Sequence, residues 1–293
     1  MNEEARFISL IRDQTKEVAV LPPGALPQRF EPLRSGNLIR NHQIDEELLA
    51  IRVVLFDIYG TLFSSAAGEI SSETPPNPNN AGPDNETAFF RQAVLERHLA
   101  GYATTPYPEV RVEEIWASYP ELPEGMSGAE FALRYELAHN PVTPMPGAFP
   151  CIRELGQAGL ALGIVSNAQF FTPLLFNAFF GAGPEELGFA PDLIAYSYEH
   201  GRAKPDPELF QVVLKHVQAR GYRIDECLYI GNDMLNDVFG AKNVGMKGAL
   251  FAGDRQSLRL REDNPLCRDL LPDLILDSLS DLPILIQKGH SHG

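Results

Sequence analysis

Five side chains that can do chemistry stand at the ends of apolar runs. In "VVLFDIYGTLF", from Val53 to Phe63, four apolar residues run straight into Asp57, and a turn follows at Tyr59, Gly60 and Thr61. "LGIVSN" ends in Ser166 and Asn167, "GRAKPDP" carries Lys204, and "LYIGNDMLND" ends in Asp233 with Asp237 four residues further on. A carboxylate can act as nucleophile or metal ligand, a serine can donate a hydrogen bond, and a lysine supplies fixed positive charge. Each residue alone has an ordinary explanation. An Asp after a strand is most often a helix N-cap, Ser-Asn is common turn chemistry, and a Lys before Pro is usually a solvated loop charge. Their order along the chain is what sets them apart, because each falls at the expected end of a successive βα unit.

The elements that must position them follow from the hydrophobic pattern. "IRVVLFD" is an unbroken apolar run, as expected of a parallel strand buried on both faces. The stretch from 64 to 86 is rich in Ser, Pro, Asn and Gly and reads as a hinge loop. "ETAFFRQAVLERHLAGY", "VRVEEIWASY" and "AEFALRYELAHN" have helical spacing, with no strand signal between about 86 and 140. From "AFPCIRELGQAG" onward, helices and strands alternate to a late strand in "DLILDSL". This predicts an α/β fold, a doubly wound, Rossmann-like parallel sheet with a small all-helical cap domain. The boundaries drawn are an N-terminal arm over 1–50, a core over 51–63 and 143–293, and a cap with its hinge over 64–142. In such sheets ligands bind at the carboxyl ends of the strands, which is where Asp57 falls. In the arm, "FISLI" suggests a short helix and "IDEELLAI" another, while "LPPGALPQRFEPL" has too many prolines for regular structure. The arm is expected to pack on the domain surface.

Composition narrows the class. With 293 residues, 44% hydrophobic and 22% charged, the chain can build a substantial core. A net charge of -15 argues against a nucleic-acid surface, and an anionic substrate would need a local positive device. The three cysteines are widely spaced, without C-x-x-C, so neither a disulfide framework nor a zinc site is expected. The first residues lack the apolar core of a signal peptide, and no run reaches the ~20 apolar residues of a membrane span. The expectation is a cytoplasmic protein with a small-molecule partner, no nucleic acid and no membrane.

Taken together, "FDIYGTL", "IVSN", the lysine of "GRAKPDP" and "IGNDMLNDVFGAKNVGM" resemble the four motifs of the haloacid dehalogenase superfamily of hydrolases. The resemblance spans about 52–280, with the helical insert in the place of a first-type cap. It implies a phosphatase-like hydrolase in which Asp57 is the nucleophile, Ser166 binds a transferring phosphoryl oxygen and Lys204 neutralises charge. Tyr59, Gly60, Thr61 and Asn167 would line the substrate, with backbone N–H groups of the Gly60–Thr61 turn aimed at the anion. Asp57, Asp233 and Asp237 would converge on one small site. Two carboxylates ~4 Å apart repel by roughly 4 kcal/mol at an effective dielectric of ~20. A hard divalent cation relieves this, so Mg²⁺ is expected, held by Asp57, the Tyr59 carbonyl and Asp233, with Asp237 orienting a bound water or holding Lys204.

Tyr59 departs from the phosphatase pattern, which has a second aspartate at that position as general acid and base. The D-x-Y-G-T variant is similar to the 2-haloacid dehalogenases, which release halide without a metal. Those enzymes, however, carry serine where this chain has Asp233. The reading taken is a slow Mg²⁺-dependent phosphatase. The alternatives are a metal-free dehalogenase and a weakly active or non-catalytic binding protein. A dehalogenase would need a cap arginine for halide, but nothing in the sequence selects among Arg91, Arg97, Arg111 and Arg134. Trp116 is expected in the cap core, and "GHSHG" is expected to be a frayed tail.

Overall fold

Val53–Phe56 forms β1, and every one of its side chains is fully buried. Val54 and Phe56 point to one face of the sheet, Val53 and Leu55 to the other, so a run without polar residues is what two covered faces require. The computed structural model describes residues 2–14, 18–21, 26–37, 50–65 and 85–290. The six strands are β1, β2 (Ala161–Ser166), β3 (Phe189–Tyr196), β4 (Cys227–Gly231), β5 (Lys247–Phe251) and β6 (Leu274–Leu276), in the order β3-β2-β1-β4-β5-β6, with every pairing parallel. The order reverses at β1, which lies between β2 and β4. This is the crevice position at which doubly wound sheets bind ligands.

The helices are α1 (Glu3–Arg12), α2 (Asn85–Gly101), α3 (Val112–Ala117), α4 (Gly128–His139), α5 (Ala148–Gln157), α6 (Thr172–Phe180), α7 (Ser197–His200), α8 (Pro207–Ala219), α9 (Gly240–Asn243) and α10 (Asp281–His290). One face of the sheet is covered by α8, whose Val213, Leu214 and Val217 meet Val53 and Leu55. The other face packs on α5 and α6 through Ile152, Leu155 and Phe176. The α/β architecture with a helical cap matches the expectation. Between 85 and 140 the described residues form α2, α3 and α4 and no strand.

The cap has its own core. Trp116 is 1% exposed and sits among Phe89, Phe90, Tyr119, Phe131 and Tyr135, with Phe90 stacked on it at 5.2 Å. The two strands of chain joining cap to core lie side by side. Ser64 N–H donates to Thr143 O at 2.8 Å and Met145 N–H to Leu62 O at 2.9 Å.

The arm does more than lie on the surface. Phe7 and Ile11 of α1 are buried, Arg12 Nε donates to Ala178 O on α6 at 2.9 Å, and Arg6 pairs with Glu130 on α4 at 2.6 Å. One helix therefore holds both core and cap. Further on, Gln28–Leu33 forms a turn of 3₁₀ helix, where the proline content had argued against regular structure. Short 3₁₀ turns tolerate proline, because its fixed φ suits them. This turn places Phe30, fully buried, against Met234, Val238 and Leu250. The helix expected in "IDEELLAI", most of the 64–86 hinge and the last residues of "GHSHG" lie outside the described residues.

If the arm is integral to the core, Phe30→Ala should destabilise the protein by about 3–5 kcal/mol, read as a lower urea midpoint at unchanged slope.

Candidate active site

Asp57 is the first residue beyond β1. Its N–H donates to Ile230 O of β4 at 2.8 Å, which extends the sheet pairing by one residue and fixes the carboxylate at the strand end. Asp57 Oδ1 accepts from Ser166 Oγ at 2.7 Å and pairs with Lys204 Nζ at 2.7 Å. Ser166 ends β2, the neighbouring strand, and is fully buried.

Lys204 reaches the site from the loop before α8. Asn167 Oδ1 accepts its backbone N–H at 2.7 Å. Asn167, expected against substrate, thus uses its Oδ1 to hold the lysine loop. Lys204 Nζ also donates to Asp237 Oδ1 at 2.6 Å and Tyr229 Oη at 2.9 Å. Burial works against the charge on Lys204, but the carboxylates of Asp237 and Asp57 outweigh it and hold the ammonium above its ordinary range. Asp237 is likewise buried, which raises its carboxyl above the usual range against the opposing pull of Lys204.

Asp237 gets there through a local irregularity. Residues Met234–Phe239 form a turn of π-helix after β4, with the N–H groups of both Asp237 and Val238 bonded to Asp233 O at 3.0 and 3.1 Å. The wider turn points Asp237 back under the strand end, where its Oδ2 accepts the Asp233 N–H at 2.8 Å. Gly231 makes room: a Cβ there would lie 2.1 Å from the Asp237 carboxyl carbon. On the first motif, Gly60 has φ +81° and lies against the Asn232 side chain, which a Cβ would meet at 2.6 Å.

The turn after Asp57 differs from the expectation. Gly60 N–H donates to Phe63 O at 2.6 Å and Thr61 N–H to Ile58 O at 3.2 Å. Both amides are consumed inside the turn and do not face an anion, because so tight a turn closes its own hydrogen bonds. The Thr61 hydroxyl is buried and donates to Asn232 Oδ1 at 3.4 Å. Tyr59 Oη shares a hydrogen bond with Thr172 Oγ1 at 3.0 Å. Burial, and then the charge of Glu136 on cap helix α4, raise its phenol well above the ordinary range.

Asp233 is where the Mg²⁺ expectation meets the geometry. Its Oδ1 accepts N–H groups of Leu235 and Asn236 at 2.8 and 3.2 Å, capping the turn. The Arg261 guanidinium also grips both oxygens, Nη2 to Oδ2 at 2.6 Å and Nε to Oδ2 and Oδ1 at 3.0 and 3.2 Å. Asp237 is committed to Lys204 and the Asp233 amide. Among the described residues no group of three or more His, Cys, Asp or Glu side chains is placed to hold a metal ion. As arranged, two of the donors expected for Mg²⁺ beside Asp57 and the Tyr59 carbonyl do not fit the ion, since Asp233 is already neutralised and Asp237 is committed.

Tyr229, Thr172 and Arg261 belong to the site and were not singled out from the sequence. A lone tyrosine in the apolar strand "CLYIG" was a signal for the first. Nothing distinguished Arg261 from the other charges of "SLRLREDN".

The sequence profile of haloacid dehalogenase-like hydrolases matches residues 51–245. This chain belongs to that family. Among curated proteins, the ribulose-1,5-bisphosphate 5-phosphatase of Halopiger xanaduensis is 26% identical over 144 residues, which is 48% of this chain and 56% of that protein. The rhythmically expressed gene 2 protein of Drosophila melanogaster is 30% identical over 98 residues, 33% of this chain and 35% of that one. The matches thus span about half or less of those relatives. Among solved structures, the 2-haloacid dehalogenase of Pseudomonas syringae is 18% identical, with 81% of this chain and 99% of that chain covered at a TM-score of 0.50. The L-2-haloacid dehalogenase of Xanthobacter autotrophicus is 24% identical, with 81% and 98% covered at a TM-score of 0.48. The likeness to the Pseudomonas structure shows the shared fold. Among the described residues no helix is long and apolar enough to cross a membrane.

Removing the ammonium should leave two buried carboxylates facing each other. Lys204→Met is therefore expected to cost about 3–5 kcal/mol in urea denaturation. The Tyr59 phenol should also stay protonated at pH 10: the ultraviolet titrations of wild type and Tyr59→Phe should coincide up to that pH, and a phenolate lost with Tyr59 would contradict its burial.

Proposed function

We propose that this hydrolase removes the phosphoryl group from a small phosphorylated substrate through an aspartyl-phosphate on Asp57. The observation that carries the reading is the pair of 2.7 Å contacts from Ser166 Oγ and Lys204 Nζ to Asp57 Oδ1. They orient the carboxylate and leave Oδ2 as the attacking oxygen. Oδ2 bonds to phosphorus as the bond to the leaving oxygen breaks, and the leaving group departs with the electron pair. Water then attacks phosphorus, frees the Asp57 carboxylate and releases inorganic phosphate. Ser166 and Lys204 would turn to the transferring oxygens as negative charge moves onto them. The Halopiger relative, by its name a phosphatase of a sugar bisphosphate, supports phosphate-ester hydrolysis, though its alkyl ester is of the class that Tyr59 disfavours here.

Mg²⁺ is the cofactor the resemblance implied. In this arrangement the charge it would neutralise at Asp233 is met by Arg261, and no step above runs through the ion. The weak point of the site is the leaving group. A neutral phenol tied to Thr172 is a poor substitute for an acid–base aspartate, whose help is worth ~10²–10⁴ in rate. The enzyme is therefore slow, and it favours substrates whose leaving oxygen needs no proton.

A second reading, dehalogenation, is favoured by the same two features, Tyr59 and a neutralised Asp233. It predicts release of halide from a 2-haloacid. The phosphatase reading predicts the reverse result in the same assay.

Aryl or acyl phosphates should turn over at least ~10²-fold faster than alkyl phosphates. Asp57→Asn should abolish phosphate release from all of them. Equal turnover of both classes, or an active Asp57→Asn enzyme, would remove the basis for this function.

A further inference from the structure

Asp233 stands where the resemblance placed a metal ligand, yet its lone pairs are filled. An ionised carboxylate accepts at about four positions. Here Leu235 and Asn236 amides take Oδ1, and the Arg261 fork takes both oxygens. The pair is half shielded, with the Asp233 side chain 8% exposed and that of Arg261 34%. A planar guanidinium bound edge-on to a carboxylate is a fixed, geometrically specific charge, unlike a solvated lysine.

The backbone also delivers Arg261 to this point. The loop after β5 runs parallel to the loop after β4. Arg259 N–H donates to Asn232 O and Met234 N–H to Arg259 O, both at 2.9 Å. Asn232 Nδ2 donates to Ser257 O at 2.6 Å. Arg261 follows two residues later. It is the one non-glycine among the described residues with positive φ, at 51°. Such a conformation persists only where the surroundings over-determine it, and it clusters at functional sites. Asp233 is joined to the nucleophile through bonded neighbours: its N–H donates to Asp237 Oδ2 at 2.8 Å, and Lys204 Nζ bridges Asp237 Oδ1 and Asp57 Oδ1 at 2.6 and 2.7 Å. The Arg261–Asp233 pair therefore adjoins the cluster that holds the nucleophile.

We propose that Arg261 takes the place of the divalent cation at Asp233: its guanidinium neutralises this carboxylate, so that Asp233 sets no further negative charge against an anionic substrate and the chain turns over without Mg²⁺. Arg261 is then a positioning residue for Asp233, and its removal would leave one more uncompensated negative charge beside the substrate. This rests on the phosphatase reading for its account of the substrate, but not for its account of metal binding.

The decisive experiment titrates chelator-treated protein with Mn²⁺ and follows the free ion by electron paramagnetic resonance. Wild type should show no saturable binding up to about 1 mM. Arg261→Gln and Arg261→Ala, checked for folding by circular dichroism, should gain one Mn²⁺ site at least about tenfold tighter, lost again when Asp233→Asn is added. Wild-type protein that binds one Mn²⁺ below that concentration, and loses it on Asp233→Asn, would overturn the proposal whether or not the arginine variants fold. In parallel, release of p-nitrophenol from its phosphate ester should be unchanged by chelator or added Mg²⁺, while Arg261→Gln should raise KM for the ester. Strict dependence on Mg²⁺ would also overturn it. A chain inert towards every phosphate ester would refute the phosphatase reading, and the Mn²⁺ titration would still decide the role of Arg261.

Discussion

The site depends on one buried ammonium shared between two carboxylates. Lys204 is almost wholly out of water, as is Asp237, and Asp57 is nearly so. Any one of these charges alone in that position would be expelled or neutralised. Together they persist because Nζ is within 2.7 Å of both carboxylates and also donates to Tyr229, whose hydroxyl in turn donates to Val165 O at 2.6 Å. The arrangement leaves a net negative charge, so the site as a whole repels anions unless a further cation is near. Arg261 offsets the charge of Asp233 and so keeps that balance from becoming more negative.

Most of the fold's irregular features serve this cluster. The strand order reverses at β1, which opens the crevice above Asp57 and places Ser166 and the end of β4 on either side. The π turn after β4 and the bare Cα of Gly231 let Asp237 fold back beneath the strand end. Asn167 Oδ1 holds the Lys204 loop, so a residue next to the cluster also fixes its position. Each device spends local regularity to bring a charge to within hydrogen-bond distance of another.

The cap is tied to this core at several places. The paired linkers around Ser64 and Thr143 form one tie. Gln169, next to Ser166 in the loop after β2, forms another by donating to Val110 O and accepting from Val112 N–H. The first helix forms a third, through Arg6 to Glu130 and Arg12 to Ala178 O. These ties join the cap to the segments that carry Tyr59 and Ser166.

By itself the sequence determined what repeats or alternates. Apolar runs ending in Asp57, Ser166 and Asp233 marked buried parallel strands, and the change to helical spacing after 85 marked the cap, because burial periodicity is a local property of the chain. The same runs placed Asp57, Ser166, Lys204 and Asp237 at the carboxyl end of the sheet, where they do meet. What only the tertiary structure decided were partnerships across long separations. The 3₁₀ turn that seats Phe30 depends on a groove made by residues two hundred positions away. The amides of Gly60 and Thr61 are consumed by a turn whose closure no motif states. Asp233 reads as a metal ligand from its own motif, but its counter-charge comes from Arg261, on a loop with no pattern to distinguish it. A motif records which groups a residue travels with along the chain. The charge it finally faces is set by packing, and packing joins segments that the sequence keeps apart.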